Sequence, residues 1–270
     1  MALVDHDTCS NTHHPAQHLA SVDILYLDQT LVAVHKPAGL LVHHSRIDRH
    51  ARHAAVQLVR DQIGQRVYPV HRLDKPTSGV LLFALDPGTA RALVEQFSAG
   101  HVRKQYLAIV RGYTQETGSI DTALTERLDP IADAQADRDK APQTASTQYR
   151  CLARVELPHP VGRYRTARYS LLELRPRTGR QHQLRRHLKH IFHPIIGDTT
   201  HGDGRHNRFF REHFDNQRLL LAATALQCLH PTSGEPLRIT APPAAEFQRI
   251  LAALGWSDRI APHPEVGHGP

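Results

Sequence analysis

The chain has 270 residues, 40% hydrophobic and 22% charged, an ordinary globular composition with room for one generous core or two small ones. Its 33 Lys and Arg outweigh 26 acids for a formal charge of +7, and the pI near 9.6 suits a polyanionic partner such as nucleic acid. Three scattered cysteines (Cys9, Cys151, Cys228) exclude a disulfide framework, no apolar run approaches a membrane span, and no secretory signal opens the chain, so the expected compartment is the reducing cytoplasm.

Residues 1–21 are polar and His-rich without hydrophobic period, and are expected to be a disordered extension. His6, His13, His14 and His18 belong to that tail and read as no specific metal site. Residues 22–27 and 31–34 predict two short strands around Asp28-Gln29. The spacing of Val56, Leu58, Val59 and Ile63 predicts a helix over 54–63. The apolar run 80–85 predicts a buried strand. A helix over 87–99 follows, with Ala90, Leu93, Val94 and Phe97 on one face, Pro87 in its first turn and Gly100 as its stop. Residues 102–111 predict a strand, and the polar stretch 125–143 a long loop.

Further strands are expected at 146–156, 166–175 and 218–229, and a helix at 180–192. In that helix Leu184, Leu188 and Ile191 form the buried stripe, and Arg185 lies at its margin, about 100° round from Leu184. Residues 197–216 are polar, basic and glycine-containing, and are expected to be a loop that embraces a polyanion. From about Ser257 the chain reads as a flexible tail, leaving 22–256 as the folded domain. Strands outnumber helices without regular β-α alternation, so the expected fold class is α+β with an antiparallel or mixed sheet. No internal repeat is visible.

The segment His71-Arg72-Leu73-Asp74-Lys75-Pro76-Thr77-Ser78-Gly79 says most about function, although an Asp near a turn is by itself more often structural. Asp74 lies between two cations and just before a buried strand, conditions that favour the carboxylate and make it a nucleophile or base in waiting. This segment resembles the catalytic signature of the RluA-like pseudouridine synthases. Three more regions match that family in order: Lys36-Pro37-Ala38-Gly39-Leu40, Arg103-Lys104-Gln105-Tyr106-Leu107-Ala108, and Thr178-Gly179-Arg180-Gln181-His182-Gln183-Leu184-Arg185 with His193-Pro194-Ile195-Ile196-Gly197-Asp198. The resemblance spans about residues 22–256. Val59-Arg60-Asp61-Gln62-Ile63-Gly64-Gln65 and His201-Gly202-Asp203 most resemble the branch of that family that acts on uridine 65 of tRNA.

The resemblance implies a long bent mixed sheet around an RNA-binding cleft, and an isomerisation that moves the ribose from N1 to C5 of a flipped uracil. Such a reaction needs no metal, nucleotide or redox cofactor, and the chain has neither G-x-G-x-x-G nor G-x-x-x-x-G-K-[ST]. Asp74 is then the catalytic carboxylate, attacking C1′ or C6 or taking the 2′ proton. Tyr106 offers a face to the uracil and a hydroxyl to the C5 proton. Arg185 pairs with Asp74. Arg72, Arg103, Lys104, Arg180, Arg186 and Lys189 are the candidate RNA contacts. His71 is expected to be a structural hydrogen-bonding residue. His182, His187, His190 and His193 form no H-E-x-x-H and read as no metal site. Gln181 stands where relatives more often carry a small or basic residue.

The implied partner is RNA, tRNA in particular, handled by a monomer with no membrane attachment. Only 21 residues precede the expected core, too few for the separate RNA-binding domain many family members carry. A ribosomal RNA target, a non-catalytic RNA-binding protein and a metal-dependent hydrolase are the competing readings.

Overall fold

The computed structural model describes residues 21–43, 53–126 and 141–260. They build one ten-stranded sheet and five helices. The strands are β1 Asp23–Leu27, β2 Leu31–Lys36, β3 Tyr68–Pro69, β4 Ser78–Ala84, β5 Arg103–Arg111, β6 Thr117–Asp121, β7 Ser146–Leu157, β8 Ala167–Pro176, β9 Leu221–Leu229 and β10 Pro236–Thr240. The helices are α1 Ala55–Ile63, α2 Pro87–Ser98, α3 Gln183–His190, α4 Gly204–Phe214 and α5 Ala245–Ala253. The main path runs β1-β2-β4-β9-β5-β8-β7-β6, with β10 added to β9 and β3 to β4. Every pairing is antiparallel except β4 with β9. The fold is therefore the α+β arrangement the sequence led us to expect, with a mixed sheet.

β4 shows why the sheet is covered on both faces. All seven of its residues are buried. Leu81 and Phe83 pack with Leu58 and Val59 of α1, while Val80 and Leu82 pack with Leu93 of α2. Successive strand residues point to opposite faces, so an unbroken apolar run needs a layer on each side. α2 begins as its sequence suggests: Asp86 accepts from the Gly88 and Thr89 amides and Pro87 opens the first turn. Further along, Leu172 and Leu174 of β8 face Leu184 and Leu188 of α3, and Tyr169 and Leu171 face Phe210 of α4 and Phe247 of α5.

The structure corrects several expectations. Residues 197–216 are not one long loop, because Gly204–Phe214 forms α4, capped by Asp203 and anchored by buried Phe209 and Phe210. β6, β10 and α5 were not anticipated. Ser257–Arg259 makes a 3-10 turn where a loose tail was expected. The expected disordered extension (apart from residue 21), the middle of the 125–143 loop, and the end of the C-terminal tail lie outside the described residues.

The parallel contact of β4 with β9 is short: Ser78 pairs with Ala222 and Gly79 with Ala223. Gly79 has φ +114°, and a Cβ there would overlap the Ala223 carbonyl. Neither the φ nor the approach suits an L side chain. Gly79→Ala should therefore lose roughly 3 kcal/mol or more of stability, as strain and overpacking add. A urea midpoint unchanged from wild type would show that the seam tolerates a side chain.

Candidate active site

Asp74 lies in the turn between β3 and β4. The Thr77 amide donates to the Asp74 carbonyl at 3.0 Å, and the Gly39 amide to the Lys75 carbonyl at 2.8 Å. Beneath this turn Lys36, 0% exposed, donates from Nζ to the carbonyls of Leu40 (2.7 Å), Pro37 (2.9 Å) and Lys75 (3.1 Å). Burial, aided by Arg218, draws its pKa down to about 7, and Asp74 draws it back. Three carbonyl acceptors match the three N–H groups of an ammonium and favour its charged form against burial. The Lys36-Pro37-Ala38-Gly39-Leu40 segment is thus the floor of the Asp74 turn.

Arg185 sits in α3, its side chain 4% exposed. Its Nη1 donates to Asp74 Oδ2 at 3.1 Å. Its other two nitrogens grip a second carboxylate: Nε to Asp198 Oδ2 at 2.7 Å and Nη2 to Asp198 Oδ1 at 2.9 Å. Asp198 Oδ1 also accepts from the Thr200 and His201 amides, each at 2.9 Å. Burial pushes the Asp198 carboxyl up, but Arg185 and these amides outweigh it and hold the pKa below the usual carboxylate range. Burial likewise opposes the Arg185 charge, and the two carboxylates more than restore it. One guanidinium therefore bridges two acids, and the Asp198 fork fixes the angle at which it meets Asp74. Asp198 was not singled out from the sequence, although it ends the matched His193–Asp198 segment. Its place after a glycine reads as an ordinary turn acid.

The turn before α3 is pinned by Gln183, which uses all four of its bonding capacities. Oε1 accepts from Thr178 Oγ1 at 2.6 Å and the Arg180 amide at 3.0 Å, while Nε2 donates to the Ser146 carbonyl (2.9 Å) and Thr147 Oγ1 (3.0 Å). Tyr106 comes from β5, beside an irregularity in its pairing with β9. Burial, with Asp74 nearby, pushes its phenol well above the usual range, so it stays protonated at neutral pH.

Asp74, Tyr106 and Arg185 together line a cleft of about 650 Å³. Arg72, Lys104 and Arg180 line it too; Arg103, Arg186 and Lys189 do not. On β5, Lys104 and Tyr106 share the cleft side, whereas Gln105 points away to Glu173. Arg186 donates to the Thr125 carbonyl at 2.8 Å outside the cleft. His71 accepts from the Leu82 amide through Nε2 at 3.0 Å and stacks on Phe97. Burial and Lys104 pull its pKa down to about 3, so it is neutral. Among the described residues no three His, Cys, Asp or Glu side chains gather as a metal would require, and no helix is long and apolar enough to cross a membrane.

Residues 30–190 match the family model described as RNA pseudouridylate synthase. The chain is 57% identical over 235 residues to tRNA pseudouridine synthase C of Pectobacterium carotovorum subsp. carotovorum, a match covering 87% of this chain and 62% of that relative's length. It is 54% identical over 244 residues to tRNA pseudouridine synthase C of Yersinia pestis, covering 90% of this chain and 95% of the relative. Among solved structures, Human RNA Pseudouridylate Synthase Domain Containing 4 superposes with a TM-score of 0.65 at 26% identity, covering 86% of this chain and 93% of that one.

Proposed function

Because the chain belongs to the RNA pseudouridylate synthase family, we propose that it isomerises a uridine of tRNA to pseudouridine, at position 65, through one catalytic domain spanning 22–256. The observation that carries this reading is the Asp74–Arg185–Asp198 chain, buried at Arg185 and Asp198 and open at Asp74 to a basic cleft. A uracil flipped out of the RNA stack meets there a held carboxylate, an aromatic face and a fixed positive charge. Asp74 is the group that acts on the nucleotide, held at Oδ2 by Arg185. Tyr106 stacks on the base and, as a protonated phenol, donates to it. Arg72, Lys104 and Arg180 meet phosphates at the cleft, and Arg103, Arg186 and Lys189 extend that contact outside it. The reaction is internal to one nucleotide and calls for no added cofactor; the residues of the cleft all come from one chain, which fits a monomer, and a tRNA substrate fits a cytoplasmic protein.

The test is an unmodified tRNA transcript and a ribosomal RNA transcript treated with purified protein, with no metal or nucleotide added. One pseudouridine is expected, at position 65 of the tRNA. Because phosphate contacts release counterions, affinity should fall with salt by a log–log slope of roughly 0.7 to 0.9 per phosphate contact. Modification confined to ribosomal RNA would overturn the substrate; no pseudouridine in either RNA would overturn the activity.

A further inference from the structure

α3 ends in a way that folding alone does not explain. The Phe192 amide donates to the Lys189 carbonyl at 3.0 Å, and the His193 amide to the Leu188 carbonyl at 2.8 Å. These two bonds close a helix through one left-handed residue, and that residue is Phe192, φ 65°. The position favours glycine, because a Cβ there crowds the backbone. Packing can offset such strain, but Phe192 is 78% exposed, more than any other large hydrophobic among the described residues. An apolar ring thus stands in water at a place where its backbone is also strained. The fold holds it there: Arg111 donates from Nη2 to the Phe192 carbonyl at 3.1 Å, while its Nη1 pairs with Asp203 Oδ2 at 2.6 Å. Strain that the surroundings enforce without a packing return points to a working surface.

The neighbours of the ring are basic. Leu184 and Leu188 pack toward the sheet, so Arg186, Lys189 and His190 lie on the outward side of α3, Lys189 and His190 exposed. Asp203, the acid at this corner, is already engaged by Arg111. The other end of the helix opens the cleft, where Gln183, Leu184 and Arg185 line it. From Arg185 to Phe192 the helix advances about 10 Å, at 1.5 Å per residue. A polyanion seated in the cleft and lying across this basic side reaches the ring. We propose that Phe192 is a stacking platform for an unpaired base of the substrate RNA, with Lys189 beside it on the flanking phosphate. A phenyl face suits any base and reads none, and bases inside a duplex have their faces covered. This inference rests on the function proposed above and deepens it: the cleft takes the reacting uridine, and the end of α3 takes a second nucleotide of the same RNA.

The test measures binding of an unmodified tRNA transcript across a salt series, beside urea unfolding, for wild type, Phe192→Gly, Phe192→Trp and Lys189→Ala. Phe192→Gly relieves the left-handed strain, so its urea midpoint should stay level or rise. Its RNA affinity should nevertheless fall about fivefold or more, the share of one base–aromatic stack. The salt slope should not change, because no phosphate contact is lost; Lys189→Ala should instead lower the slope by roughly 0.7 to 0.9. Phe192→Trp should bind at least as well as wild type. Its added indole is exposed, whereas Trp256, the only tryptophan of the sequence, is 3% exposed, so quenching of the added emission by tRNA reports the stack directly. A Phe192→Gly protein that is less stable than wild type would make Phe192 a packing residue and overturn the inference. Unchanged affinity, a slope that falls with it, or an unquenched indole would overturn it too. So would a dimer that Phe192→Gly dissociates without weakening RNA binding, which would assign the ring to a second copy of the chain. In each of these cases wild-type pseudouridine formation leaves the proposed function standing. A wild type that forms none would overturn that reading and this inference together.

Discussion

Asp74→Asn should fold, bind RNA, and form no pseudouridine. Asn keeps the shape of the side chain and retains an oxygen that can turn toward Arg185. Arg185 itself stays gripped by Asp198 at 2.7 and 2.9 Å, so the cleft does not collapse. What disappears is the anionic oxygen, and with it both nucleophile and base. The loss in turnover should be at least about 10⁴-fold, the scale seen when the reacting group of a coupled site is removed. RNA affinity should change by no more than about 1.4 kcal/mol, a factor of ten. Single-turnover pseudouridine mapping beside filter binding separates the two quantities. Near-normal turnover would remove Asp74 from the mechanism.

Arg185→Ala should damage both chemistry and folding. It leaves Asp198, 1% exposed at its side chain, with backbone amides on Oδ1 and without the Arg185 contact on Oδ2. An acid buried after losing its cation costs about 3–5 kcal/mol. The pH dependence gives the reason away. In the wild type the lowered Asp198 pKa contributes stability that is present above the unfolded carboxylate pKa and lost as pH falls through the folded one. Without Arg185 the carboxylate loses the partner that most lowers its pKa, and burial moves that pKa back up. The contribution the wild type has at neutral pH is therefore reduced in the variant. The variant's deficit should therefore shrink on mild acidification, where the wild type begins to weaken. Removing Asp198 as well should recover part of the loss, since no unpaired charge is left. Arg186→Ala, outside the cleft, should cost little on the same urea curves. A deficit independent of pH, or equal in the two arginine variants, would contradict the bridge.

Much of this architecture was legible because the sheet is built from long, unambiguous runs. The 80–85 run, the 102–111 alternation and the α2 face with its Asp86-Pro87 start each repeat one signal several times. α4 was hidden because Gly204–Phe214 is mostly polar, and its buried contacts concentrate in Phe209 and Phe210 rather than a full stripe. α5 was a missed opportunity, since Phe247, Ile250 and Leu251 have helical spacing and are all buried. Within the site, motif resemblance named Asp74, Tyr106 and Arg185, and the structure brings them to one cleft. Resemblance could not say that Arg185 serves two acids, because a shared guanidinium leaves no trace in spacing. Nor did it separate Arg103 from Lys104. That distinction is one of strand parity, readable only once the face occupied by Tyr106 is known.

Asp74 and Arg185 lie 111 residues apart, and among the described residues β4 pairs with β9 through two residue pairs. Contacts so distant along the chain form late, because loop closure must be met before they reward it. The long β7–β8 pairing, by contrast, is nearly local. A refolding chain would therefore keep two clocks: one for secondary structure, running early on its hairpins, and one for catalysis, which starts only when this narrow joint has closed.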